Sequence, residues 1–219
     1  MYAHPAFRVT DDDELASFVD ARRFATLVTG GVDGVQAAHL PMKLERSGNG
    51  GAYLEGHIAR ANPMLATISN GIPALAIFQG ADAYVTPSLY QSKRENGRVV
   101  PTWNYIAVHV SGTLDLFEEA SDLRAHISRL TDMMEAGSAA PWEVSDAPGD
   151  YIEGMVRAII GVRLRITTME GIRKLSQNRS EADRAGVHHG FSHSSDGGAR
   201  ALADEMTSDP ATTTETSAQ

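Results

Sequence analysis

Residues 24–45, "FATLVTGGVDGVQAAHLPMKLE", read as two extended segments around one turn. Apolar and β-branched residues run from Phe24 to Thr29 and again from Gln36 to Glu45, and Gly30, Gly31, Asp33 and Gly34 supply the backbone freedom of a hairpin. Working outward, "TDDDELASFVDARRF" upstream predicts a capped helix. Thr10 or Asp11 accepts from free backbone N–H groups, the acids favour the positive end, and Leu15, Phe18 and Val19 form an apolar stripe. Downstream, the Gly-rich "RSGNGG" leads into a third strand, Ala52 to Ile58, and a short helix is expected from Pro63 to about Ser69. The segment "IPALAIFQGADAYVTPSLY" predicts a buried strand from Ala74 to Phe78, a break at Gly80 and a second extended piece from Ala83 to Thr86. A polar-to-aromatic loop, "QSKRENGRVVPTWNY", precedes the strand "IAVHVSGTLDLF". Two helices follow, one marked by Leu123, Ile127, Leu130 and Met134, the other by Ile152, Met155, Val156, Ile159 and Ile160 with Asp150 and Glu153 in capping-box spacing. The strand "IGVRLRITTME" closes the sheet. Many strands, short turns and late helices describe a mainly β protein with added helices, an antiparallel barrel closed or nearly so.

The length of 219 residues suits one main domain, placed at 1–190. From Phe191 the composition turns to Ser, Gly, Ala, Asp and Thr, so 191–219 is expected to be a disordered polar tail. There is no cysteine, which excludes disulfides, thiolate metal sites and cysteine nucleophiles. No metal site is expected from the remaining residues. With 28 acidic against 19 basic side chains the formal charge is −9, which opposes direct binding to nucleic acid. No apolar run is long enough for a membrane helix and the N-terminus lacks a signal-peptide pattern, so the expectation is a soluble, cytoplasmic protein.

Chemistry concentrates in three places. In "LEGHIARANP", residues 54–63, Asn62 suits a cap and Pro63 a first helical turn. The free amides of that turn, with Arg60 and His57 beside them, would seat an anion. The plain alternative is that Arg60 pairs with a carboxylate and His57 is a packed core residue. In "VVPTWNYIAVHVSG", Trp103 and Tyr105 alternate with Asn104, an aromatic pair beside an amide suited to a flat ring, or else ordinary core anchors. In "KLSQN", Lys174 and Gln177 offer donors for phosphate or ring carbonyls, or else a solvated turn. His39 and His109 lie on strands, where a lone histidine is more often packed than ligating.

Taken in order, "HLP", "GHIARANP", "AIFQGADAYVTPSLY", "VVPTWNYIAVHVSG", "IIGVRLRITTMEG" and "KLSQNRSEADR" resemble the PaiB family, described as FMN-binding negative transcriptional regulators, from Tyr2 to about Gly190. The resemblance implies an FMN-binding split β-barrel related to the pyridoxamine-phosphate oxidases and a homodimer with flavin at the subunit interface. It implies a flavin phosphate near His57, Arg60 and Asn62, a ring edge along His39, and further contacts from Trp103, Asn104, Lys174 and Gln177. Where the family's "PSWY" carries tryptophan, this chain has Leu89. The functions implied are transcriptional regulation or flavin-dependent oxidoreductase chemistry, and the residues show no acid–base pair that names a reaction. Relatives that use haem, the piperazate synthases among them, supply the alternative cofactor, with His57 as the axial ligand in that case.

Overall fold

Alternation of apolar and polar residues sends successive side chains of a strand to opposite faces, and the buried positions follow it closely. The computed structural model describes residues 1–31, 34–46, 48 and 50–208, with side chains up to 207; Asp33 of the hairpin turn, residues 47 and 49 of "RSGNGG" and residues 209–219 of the tail lie outside the described residues. The strands are β1 (Arg8–Val9), β2 (Phe24–Gly31), β3 (Gly34–Arg46), β4 (Ala52–Ala59), β5 (Ile72–Val85), β6 (Thr102–Phe117) and β7 (Ile159–Lys174). The helices are α1 (Asp12–Arg22), α2 (Ser92–Glu95), α3 (Ala120–Glu135), α4 (Gly149–Arg157), α5 (Glu181–Ser192) and α6 (Gly197–Ser208). The strand order is β1-β7-β4-β3-β2-β5-β6, with β6 also paired to β7.

The chain forms two compact units. The first holds Met1–Asp11, Gln79–Val108 and the chain from Glu170; the second holds Asp12–Phe78 and His109–Met169. The expected boundary at residue 190 is not a division of the fold, because α5 runs through it.

In the second unit the β2–β3 hairpin is antiparallel from Phe24↔Pro41 to Gly31↔Gly34, and β4 pairs β7 with His57 opposite Gly161. Ala25 and Leu27 of β2, Leu40 and Met42 of β3, and Leu54 and Ile58 of β4 face inward and are buried. By the same alternation Glu55 and His57 turn to the other side of β4. There α3 presents Leu123, His126 and Leu130, a helical stripe with an imidazole in it. Leu123, Ile152 and Val156 join α3 to α4, with Phe117 and Ile127 packed against them.

Four local expectations are corrected here. The helix after Asn62 is a 3-10 turn, Pro63–Thr67, although Asn62 does cap it, accepting from Met64 N at 3.0 Å. The second late helix stops at Arg157, and Ile159 and Ile160 already belong to β7. No capping box forms at Asp150 and Glu153: Pro148 is the N-cap, and Glu153 lies 3.9 Å from Arg157. Gly80 does not break β5, but the buried positions change from even (Ala74, Ala76, Phe78) to odd (Ala83, Val85), so the strand shifts phase there.

In the first unit β1 pairs β7 at Arg8↔Ile172, over a small core of Ala3, Phe7, Ala107 and Ile172. The expected polar tail is corrected over residues 191–208: Phe191 lies in the last turn of α5, buried one turn after Val187, and α6 buries Ala199, Leu202, Ala203 and Met206. Few as they are, these apolar residues recur every three or four positions, so two short helices can bury them together. The approach of α5 to Leu89 is close. A Cβ at Gly186 would stand 2.0 Å from the Leu89 carbonyl oxygen, so that contact admits only glycine. Asp183 accepts from the Ser92 backbone N at 2.9 Å and its hydroxyl at 2.6 Å, holding α2.

Candidate functional site

The second unit carries a buried charged chain. Glu55 is 1% exposed, and its carboxylate accepts from His126 Nδ1 at 3.1 Å, Arg129 Nη2 at 2.6 Å and Arg163 Nε and Nη2 at 3.1 and 2.5 Å. Burial alone would raise the Glu55 carboxyl, but the hydrogen bonds from His126, Arg163 and Arg129 outweigh it and hold the group at about 2. His126, 2% exposed, reaches on through Nε2 to Nδ1 of His57 at 3.0 Å. The His57 ring is half-buried, and desolvation, aided by His126, lowers it to about 4, so it is neutral near pH 7. Phe117 stands edge-on to His126, and the Arg163 guanidinium lies over the rings of Tyr53 and Phe117 at 4.9 and 5.0 Å. This wall needs Gly161, because a Cβ there would fall 2.2 Å from the Phe117 ring.

Arg60 lies at the end of the same strand, and its guanidinium serves the protein. Nε donates to the Arg157 carbonyl at 3.1 Å, Nη2 to the Ile159 carbonyl at 3.3 Å, and Nη1 to Glu118 at 2.8 Å. It fastens the exit of β4 to the α4–β7 junction. Together with a 3-10 turn in place of an α-helix, this removes the helix-end field from the expected phosphate seat. His39 is exposed on β3, where it bonds Thr26 Oγ1 through Nδ1 at 3.1 Å and stacks on Phe24 at 6.4 Å.

The other expected residues belong to the first unit. Asn104, fully buried, exchanges hydrogen bonds with Ser176 Oγ at 3.0 and 3.2 Å, and Gln177 closes its own turn by accepting from Leu175 N and donating to the Arg173 carbonyl. Both amides are therefore committed to the fold, where Ser176 takes a positive φ of 66°. Trp103 is 52% exposed and meets Tyr84, 50% exposed, edge to face at 5.9 Å. One residue before Trp103, Thr102 Oγ1 accepts from Lys174 Nζ at 2.6 Å. Burial lowers the Lys174 amine, and Arg179 nearby lowers it further. Arg179 lies over the Tyr90 ring at 4.9 Å; neither it nor Lys174 forms an ion pair with a described residue. The Tyr90 hydroxyl is buried with no partner among the described residues. Within this unit, exposed rings at Trp103 and Tyr84 and two cations, Lys174 and Arg179, that form no ion pair with a described residue suit a molecule with a flat ring and an anionic group, although Arg179 also feels the Asp183 carboxylate.

Sequence reasoning passed over Glu55, His126, Arg163 and Arg179. A signal existed for Glu55: a carboxylate inside a strand flanked by Leu54 and Gly56 needs a buried partner. His126 had none, as it lies 71 residues away in an ordinary amphipathic helix.

The mainly antiparallel sheet with added helices, in which β6 also pairs β7, has the fold of the split β-barrels found among flavin-binding proteins. Among solved structures, the chain resembles the FAD and haem binding protein from Mycobacterium smegmatis, with TM-score 0.57, 17% identity and coverage of 81% of this chain and 78% of that one. It also resembles the flavocytochrome Anf3 from Azotobacter vinelandii, with TM-score 0.55, 12% identity and coverage of 84% and 78%. At those identities the likeness is one of fold. The chain belongs to the family described as "Putative FMN-binding domain", whose model matches residues 1–168. A relative, "Protease synthase and sporulation protein PAI 2" of Bacillus subtilis, is 31% identical over 206 residues, 94% of this chain and 96% of that protein.

Proposed function

We propose that the protein binds FMN and that the first-unit patch holds it, with Lys174 and Arg179 on the phosphate and Trp103 and Tyr84 against the ring. The observation that supports this is the presence in one unit, in a family described by FMN binding, of exposed aromatic rings and of two cations that form no ion pair with a described residue. When bound, flavin supplies hydride chemistry. The chain's own residues bind and orient: Thr102 accepts from the Lys174 amine and holds it in place, and the Tyr90 ring supports Arg179. Of the two roles implied by the motifs, oxidoreductase chemistry is the one we favour, because a net charge of −9 works against attraction to nucleic acid. The homodimer is part of the same reading. Phe24 and Val35, 61% and 77% exposed at opposite ends of the hairpin, are outward apolar side chains that a second copy would cover.

The deciding experiment is the absorption spectrum and mass of the small molecule released when the purified protein is denatured, followed by FMN titration. Lys174→Ala should weaken FMN binding by about 10- to 150-fold, the worth of a hydrogen bond to a charged group. Arg60→Ala should leave it unchanged. Absence of FMN binding by the intact protein refutes the reading, and a Soret band in place of flavin bands assigns haem. Bleaching of the flavin bands by reduced nicotinamide tests the oxidoreductase role, and sedimentation tests the dimer.

A further inference from the structure

The Glu55–His126–His57 chain fixes where the protons are. An ionised carboxylate only accepts, so His126 donates to Glu55 from Nδ1. A neutral imidazole has one N–H, which leaves His126 Nε2 as a bare lone pair 3.0 Å from His57 Nδ1. His57 must then donate from Nδ1, and its own Nε2 is left unprotonated. No described residue bonds to that nitrogen, and it is not among the buried atoms without a partner, so it opens to solvent. Within ion-pair distance the cluster already holds more cations than carboxylates: Arg129 and Arg163 hold Glu55, and Arg129 also lies 3.4 Å from Glu45, which pairs with Lys43. Nothing in the cluster calls for an imidazolium.

We propose that His57 Nε2 is a built acceptor site of the second unit, locked by Glu55 through His126, that takes the N–H or O–H of a neutral ligand such as an amide, imide or alcohol and does not take an anion. His126 and Glu55 act as positioning residues. This inference stands on the geometry of one unit and is independent of where flavin binds.

The test is the tautomeric state of His57 in the full-length protein labelled with nitrogen-15 at its histidines, with His57→Gln used to assign the signals. At neutral pH the wild type should show a protonated Nδ1 and a bare Nε2 in excess by about tenfold or more, as a charge-supported hydrogen bond dictates. That preference should collapse toward an even mixture in His126→Phe. Diethyl pyrocarbonate should acylate His57 and spare His126. The proposal is overturned if the wild type carries its proton on Nε2, if His57 resists the reagent, or if inorganic phosphate drives its nitrogens to imidazolium positions. The wild-type spectrum alone can refute it, whether or not the variant folds. None of these readouts involves flavin, so they fail or succeed separately from the FMN titration.

Discussion

Replacing Glu55 with glutamine removes one charge from the interior while keeping the size and an accepting oxygen. In the folded protein the Glu55 carboxyl is held at about 2 against an ordinary 4.5. That drop corresponds to about 3 kcal/mol of stability at neutral pH. The sign follows from linkage. A carboxylate whose folded value is depressed contributes fully above its unfolded value, so the contribution is present above 4.5 and is lost as pH falls from there toward 2. Glu55→Gln should therefore be less stable than wild type by about 3 kcal/mol at pH 7. The gap should hold down to about pH 5 and narrow on further acidification. Arg129 and Arg163 are 43% and 39% exposed, so once Glu55 is gone water can solvate them, which keeps the loss at the lower end of what breaking a buried ion pair costs. The assay is urea unfolding of both proteins at a series of pH values, using the difference between them so that His57, present in both, cancels. A gap below about 1 kcal/mol at pH 7, or one that stays constant to pH 3, would show that the carboxylate is not held as described.

Three further outcomes are expected. His57 is lowered from 6.5 to about 4, so folding binds fewer protons there and wild-type stability should fall as pH drops from 6.5 toward 4; His57→Gln should flatten that slope in the same urea series. Gly161→Ala would place a Cβ 2.2 Å from the Phe117 ring and should cost about 1–3 kcal/mol by thermal or urea unfolding. Leu202→Ala in α6, at a fully buried position, should cost about 2–5 kcal/mol, and an unchanged stability would mean that α6 is not packed as described.

The barrel could be read from residues alone because its information is local: the hairpin at 24–45, the third strand and the Asn62 cap each depend on neighbours a few positions away. The ordered motifs likewise carried the family. Element ends were legible only where a side chain marks them. Ile159 and Ile160 fit a helical stripe and a strand equally well, and pairing of β4 with β7 decides for the strand. α5 and α6 were hidden by polar composition, since what makes them fold is mutual burial of Val187, Phe191, Leu202 and Met206, a property of two helices together.

The candidate sites divide along the same line. That His57, Arg60, Trp103 and Lys174 are chemically able residues is a fact of sequence. Which of them are free is decided by tertiary contacts: Arg60 is taken by Glu118 and two carbonyls, Asn104 by Ser176, and Gln177 by its own turn, while Trp103 stays exposed. The Glu55–His126–His57 chain belongs wholly to the tertiary structure. A hydrogen bond needs about 3 Å between partners, and only the packing of α3 across β4 brings together groups that stand 71 and 69 residues apart along the chain.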